Sequence, residues 1–160
     1  MLFRSAPQYY LRLATRFVNA VTAMTPEGLL YEIDTRLRPS GTKGPIATSL
    51  GGFRRYNLED AWAWEHMALT RSRIVIASPS LRSRIDAVIR EVLLRPRDPR
   101  QLIADVSDMR QRMARERRAT GPWDVKNRRG GLIDVEFIVQ TLLLRHAPEH
   151  PGLLISSTSR

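Results

Sequence analysis

The residues best suited to chemistry stand close together at Glu32, Asp34, Arg36 and Arg38. In an extended chain alternate residues project to one face at a spacing of ~6.5–7 Å. That spacing lines up Asp34, Arg36 and Arg38, with Glu32 behind them. A carboxylate beside fixed guanidinium groups suits a metal-bound phosphate: the acid offers oxygen to a hard cation, and arginines fork onto phosphate oxygens. The same pattern also describes a solvated sheet face with alternating charges, and spacing alone leaves both readings open. One acid makes a poor magnesium site, since two-metal centres need several carboxylates, and no Asp-x-Asp or Glu-x-Asp pair precedes this segment.

Other candidates lie further along. Lys126, Gly130 and Gly131 come just before an apolar helical segment, and a helix N-terminus attracts anions. The plainer alternative is a turn with an ordinary cap, where Asp134 and Glu136 favour the positive helix end. These two acids stand two residues apart and point in different directions on a helix, which argues against joint ligation. His66 lacks the second histidine of an HExxH zinc motif and reads as a packed or surface residue. Pro148 separates His146 from His150 and breaks the helix that would align them. The arginines from Arg110 to Arg118 read as a solvated face, or as a contact for an acidic partner.

These residues must be held by the elements around them. Tyr10, Leu13, Ala14, Phe17, Val18 and Val21 recur at three- and four-residue steps, which predicts an amphipathic helix stopped by Thr25-Pro26-Glu27-Gly28. From Leu29 to Arg38 the period changes to two, with Tyr31, Ile33 and Leu37 opposite the charged residues. That alternation predicts a half-buried strand ended by Pro39, followed by a loop from Pro39 to Pro45.

The remainder reads as helical. Ser49 caps a short helix with Phe53 and Tyr56, weakened by Gly51 and Gly52, and Asn57 and Asp60 suggest a new start for a segment with Trp62, Trp64, Met67 and Leu69. The two tryptophans are expected in the core or at a domain junction. Ser78-Pro79 and Asp98-Pro99 are strong helix starts. The first leads an apolar stripe through Leu81, Ile85, Val88, Ile89 and Val92, the second one through Leu102, Val106, Met109 and Met113. After Gly130-Gly131 comes a helix apolar on most sides, which predicts burial in the middle of a bundle.

The 160 residues carry a formal net charge of +10 and 42% hydrophobic content, enough for a core. Such a charge invites a nucleic-acid reading. Against it, only Lys43 and Lys126 are lysines, and the aromatics are not interleaved with the arginines as base stacking requires. No nucleic-acid partner is expected; a basic helical nucleic-acid-binding module stays as one rival reading, and a regulatory scaffold domain without a catalytic role as another. The absence of cysteine fits a reducing compartment. No membrane-spanning run or signal peptide is found, so a cytoplasmic protein is expected.

Three motifs in register resemble a known family. Tyr31-Glu32-Ile33-Asp34-Thr35-Arg36-Leu37-Arg38-Pro39-Ser40-Gly41 with Gly44-Pro45, the run from Glu59 to Arg73 containing Trp62-Ala63-Trp64-Glu65-His66, and Asp124-Val125-Lys126 followed by Arg129-Gly130-Gly131 through Gln140 are similar to bacterial glutamate–ammonia-ligase (glutamine synthetase) adenylyltransferase. The resemblance spans almost the whole chain and is nearest to the C-terminal, adenylylating half. It implies a nucleotidyltransferase domain of DNA-polymerase-β type followed by a helical domain, transferring AMP from ATP to a tyrosine of glutamine synthetase with Mg²⁺ or Mn²⁺. By resemblance Asp34 matches the third metal-binding and catalytic carboxylate. Arg36 and Arg38 would offset phosphate charge or orient the protein substrate. Gly41 and Lys43 lie in a loop whose backbone N–H groups would approach an anion, and Lys126 would reach the nucleotide or a domain interface. The implied partners are glutamine synthetase and a PII-type signalling protein. The first acidic pair of such folds is expected upstream of Met1, so the chain alone is not expected to catalyse.

The expected architecture is therefore mainly α: a helical bundle over 49–160, truncated at its C-terminal end, after an incomplete α/β nucleotidyltransferase edge with a short strand over 1–48. Both ends, including Ser156-Ser157-Thr158-Ser159-Arg160, read as cuts in a longer polypeptide.

Overall fold

The computed structural model describes residues 5–154, so the Ser156 to Arg160 run and the first four residues lie outside the described part. Among the described residues six α-helices dominate, with one two-stranded sheet. The chain divides into two compact units, Met1–Asp60 and Ala61–Arg160.

In the first unit α1 (Ala6–Val21) carries Pro7 in its first turn, where the fixed φ of proline suits the helix. It ends where Thr22 returns both its N–H and its hydroxyl to the Val18 carbonyl. Its apolar stripe forms as expected but buries no residue: Tyr10 and Phe17 stay 58% and 59% exposed. The Thr25-to-Gly28 stop becomes the turn of a hairpin between β1 (Met24–Thr25) and β2 (Gly28–Leu29), with Thr25 opposite Gly28. Gly28 takes φ 105°, a left-handed value that glycine adopts at little cost.

The strand expected over residues 29–38 does not form. Only Leu29 at its start pairs, residues 30–35 join no ladder, and turns follow at 36–40. Two causes are visible. β1 offers only two residues before α1 intervenes, so the ladder has nothing further to bond. The Arg36 N–H is also captured at 2.9 Å by Oδ1 of Asp34, a local bond that competes with sheet pairing. Tyr31 and Leu37, the intended apolar face, remain exposed. The mainly α class holds, and the described residues contain no larger sheet to which a nucleotidyltransferase edge would belong. α2 (Leu50–Glu59) then begins where Ser49 Oγ accepts the Gly52 N–H. Asn57 does not start a new helix: it sits inside α2 and donates its amide to the Phe53 carbonyl.

The second unit is a bundle of α3 (Ala63–Leu69), α4 (Pro79–Leu93), α5 (Pro99–Glu116) and α6 (Leu132–His146). The starts at Ser78-Pro79 and Asp98-Pro99 form as expected, with Ser78 Oγ accepting from Leu81 N and Asp98 Oδ1 from Arg100 N. Glu65 reaches back to the Trp62 N–H at 2.9 Å and starts α3. The short α3 is the hub, packing on α4, α5 and α6. Its Met67 joins Leu93, Leu102 and Leu144 in a buried cluster, flanked by Trp64, Ile89, Val106 and Phe137. Trp62 is 69% exposed and belongs to no core.

The expectation that α6 lies buried in mid-bundle is met on one side only. Ile133 and Leu144 are buried, whereas Val135, Ile138 and Leu142 face outward. Among the described elements α3 and α5 are the main neighbours of α6, and two helices cover one stripe of a third.

Candidate functional site

Asp34 and Arg36 meet. Nε of Arg36 lies 2.9 and 3.0 Å from the two oxygens of Asp34, and Nη2 lies 2.6 Å from Oδ2. The bidentate pair stands on the surface, with both side chains more than half exposed. Asp34 raises the pKa of Arg36, first through the hydrogen bond and then through its charge. The guanidinium therefore stays charged, and the carboxylate beside it is accessible to solvent.

Arg38 does not join them. Its guanidinium turns back into the loop: Nε donates to the Gly44 carbonyl at 3.1 Å, Nη1 to the Thr35 carbonyl and hydroxyl at 2.6 and 2.8 Å, and Nη2 to the Thr42 carbonyl at 3.2 Å. Residues 35–44 are thereby closed around one side chain. Gly44 fits because a Cβ there would come within 2.0 Å of the Pro39 carbonyl oxygen. Ser40 and Gly41 turn the chain with φ of 61° and 55°.

Gly41 and Lys43 belong to a 3-10 turn, Gly41–Lys43. The N–H groups of Gly41, Lys43 and Gly44 donate to Arg38, Ser40 and Gly41 carbonyls. These three amides are engaged within the loop, and the ammonium of Lys43 is exposed.

Lys126 belongs to the second unit, in the connection from α5 to α6. It is exposed, and its carbonyl accepts the Ile133 N–H at 3.3 Å. The loop around it is organised by Asp124, which sequence reasoning passed over. Oδ1 of Asp124 accepts from Asn127 N and Nδ2, and Oδ2 from Thr120 N. These bonds, those of Asn127 foremost, lower the Asp124 pKa to about 2. An Asp followed three positions on by Asn between two glycine-rich breaks was the signal available for this turn. Asp134 accepts from Arg110 and from the Gly130 N–H, in keeping with an acid at a helix start, and Glu136 pairs with Arg71 at 2.7 Å.

His66 is buried, with Nδ1 3.4 Å from Nη2 of Arg97. Arg97 itself caps the end of α4, donating to the Val92, Leu93 and Arg95 carbonyls. Burial, helped by repulsion from Arg95, pushes its pKa down to about 10, which keeps it charged at neutral pH. This histidine is a packed residue.

The described residues do not make a divalent-cation site by themselves. No three His, Cys, Asp or Glu side chains cluster among them, and both oxygens of Asp34 are held by Arg36. A magnesium or manganese ion at Asp34 would need further carboxylates from outside these residues.

Comparison with known proteins places these geometries in context. The family model of glutamate-ammonia ligase adenylyltransferase matches residues 4–88, a stretch that contains Asp34, Arg36 and Arg38. The chain is 47% identical over 153 residues to a bifunctional glutamine synthetase adenylyltransferase/adenylyl-removing enzyme of Xanthobacter autotrophicus, covering 96% of this chain and 16% of that protein. It is 51% identical over 150 residues to the protein of the same description from Bradyrhizobium diazoefficiens, covering 94% of this chain and 15% of that protein. The chain thus spans about one sixth of the length of the curated relatives it matches.

Proposed function

The chain belongs to the glutamate-ammonia ligase adenylyltransferase family, and we propose that within a full-length member this stretch takes part in moving AMP from ATP to a tyrosine of glutamine synthetase. The observation that carries the proposal is the exposed Asp34 carboxylate clamped by Arg36 within the stretch that the family model matches. In the transfer the tyrosine oxygen bonds to the α-phosphorus, the bond to the leaving pyrophosphate breaks, and the phenolic proton passes to a base. Asp34, a carboxylate open to solvent, is our candidate for that base.

Arg36 orients Asp34 through its bidentate bond and presents a cation beside incoming phosphates. Arg38 acts through the loop that it closes, and Lys43 supplies a mobile positive charge at its edge. Lys126, an exposed cation of the second unit, is proposed as a phosphate-binding residue in its own right. ATP is the AMP donor, and the accompanying Mg²⁺ or Mn²⁺ would take its remaining ligands from the rest of a full-length protein. The 160-residue chain alone is proposed to be inactive, because one acid does not assemble that centre. The helical unit would meet a regulatory partner such as a PII-type protein.

The reaction class is tested with α-labelled ATP and purified glutamine synthetase. A full-length member should place label on a glutamine synthetase tyrosine, identified by peptide mapping, while the 160-residue chain should place none. Label on another side chain, or transfer of the γ-phosphate alone, would refute the proposal.

A further inference from the structure

The second unit carries a long groove between α5 and α6 that the adenylyl-transfer reading does not use. Its volume is about 1130 Å³, just above the ~300–1,000 Å³ usual for small-molecule sites. Its shape follows from its lining. Along α5 the residues are Ile103, Val106, Arg110 and Ala114, with Arg117 just past its end, and along α6 they are Asp134, Ile138, Thr141 and Arg145. Steps of three and four residues on both helices make a straight channel of about three turns, roughly 16 Å long. That is the form of a bed for a third helix.

The chemistry of the bed is equally specific. Its floor is apolar: Val106 and Phe137 are half-buried, while Ile103, Ile138 and Leu142 are about half exposed. Its rim is cationic. Arg117, Arg118, Arg128, Arg129 and Arg145 line it, all exposed, and among the described residues none of the five forms an ion pair with a carboxylate. The one acid in the lining, Asp134, is neutralised by Arg110.

We propose that this groove docks an acidic amphipathic helix from another protein chain, its apolar face on Ile138 and Phe137 and its carboxylates on the arginine rim. Charge complementarity selects this occupant. A second copy of a chain with net charge +10 would bring arginines against arginines. A nucleic acid would satisfy the rim and leave the apolar floor without a counterpart.

The test is fluorescence anisotropy with an 18-residue helical peptide bearing leucines at i, i+3, i+4 and i+7 flanked by glutamates, beside the same peptide with lysines for glutamates. The acidic peptide should bind the 160-residue chain in the micromolar range and weaken at least tenfold between 50 and 300 mM salt. Ile138→Asp and the double variant Arg117→Glu/Arg118→Glu should each cost tenfold or more while keeping wild-type circular dichroism. Equal binding of the lysine peptide, or unchanged affinity in both variants, would overturn the proposal. So would a chain dimer in sedimentation that excludes the peptide, or displacement by a DNA oligonucleotide at lower concentration. If a full-length relative refuses the peptide, the groove is filled from within the longer protein and the proposal of a separate partner fails.

Discussion

Arg110 of α5 and Asp134 of α6 hold each other across 24 residues of sequence, Nε–H of the one donating to Oδ1 of the other. Both side chains are about four-fifths buried, and Arg110 also donates to the Asn127 carbonyl, tying the loop that joins the two helices. The pair sets the spacing of α5 and α6, and with it the width of the groove between them.

Arg110→Met should therefore destabilise the second unit by about 1–3 kcal/mol, since it leaves a largely buried carboxylate side chain without its strongest partner. Urea denaturation followed by circular dichroism reads this directly. The Arg110 bond also holds the Asp134 pKa below the ordinary carboxylate value, with the Gly130 N–H helping and desolvation opposing. A depressed folded pKa gives stability that is present above the unfolded value and is lost as pH falls through the folded one. The Arg110→Met difference should accordingly be full at pH 7 and shrink in acid.

Asp124 makes the same kind of prediction with a defined window. Its folded pKa of about 2 lies below the ordinary carboxylate value of 3.8. Its contribution should be intact above about pH 4 and vanish as pH approaches 2. Melting curves across that interval should fall more steeply for the wild type than for Asp124→Asn, which cannot titrate yet still offers Asn127 one acceptor oxygen.

Gly131 stands where α6 begins. A Cβ there would meet the Val125 carbonyl oxygen at 2.5 Å and the Arg128 carbonyl oxygen at 2.8 Å. Gly131→Ala must push main chain aside and should cost about 1–3 kcal/mol, whereas Gly121→Ala, with nothing within 4 Å, should stay within ~0.5 kcal/mol of wild type. Parallel denaturation of the two variants tests the contrast.

Much of this architecture was legible in the chain. Ser49, Ser78 and Asp98 announce helix starts by chemistry that acts within three residues, and the structure forms helices at all three. Two of the misreadings share an origin. The alternation after Leu29 reads as a strand and the apolar breadth of α6 as a mid-bundle helix, but both features depend on neighbours that periodicity does not supply. β1 stops after two residues, and two main neighbours cover one side of α6. Near the candidate site, the Asp34–Arg36 contact follows from residues two apart. The inward turn of Arg38 could not be seen, because its acceptors are mostly main-chain carbonyls that any sequence would offer.

The central claim is that the Asp34 carboxylate serves the transfer of AMP and not the fold. The direct measurement compares the rate of label transfer from α-labelled ATP to glutamine synthetase by a full-length member with and without Asp34→Asn, alongside the melting temperature of each. The account predicts a rate about a hundredfold lower or more, as loss of a positioned base gives, with a melting temperature close to wild type because Asp34 is exposed. An unchanged rate would remove Asp34 from the chemistry, and a fall in melting temperature that accounts for the lost rate would make it a structural residue.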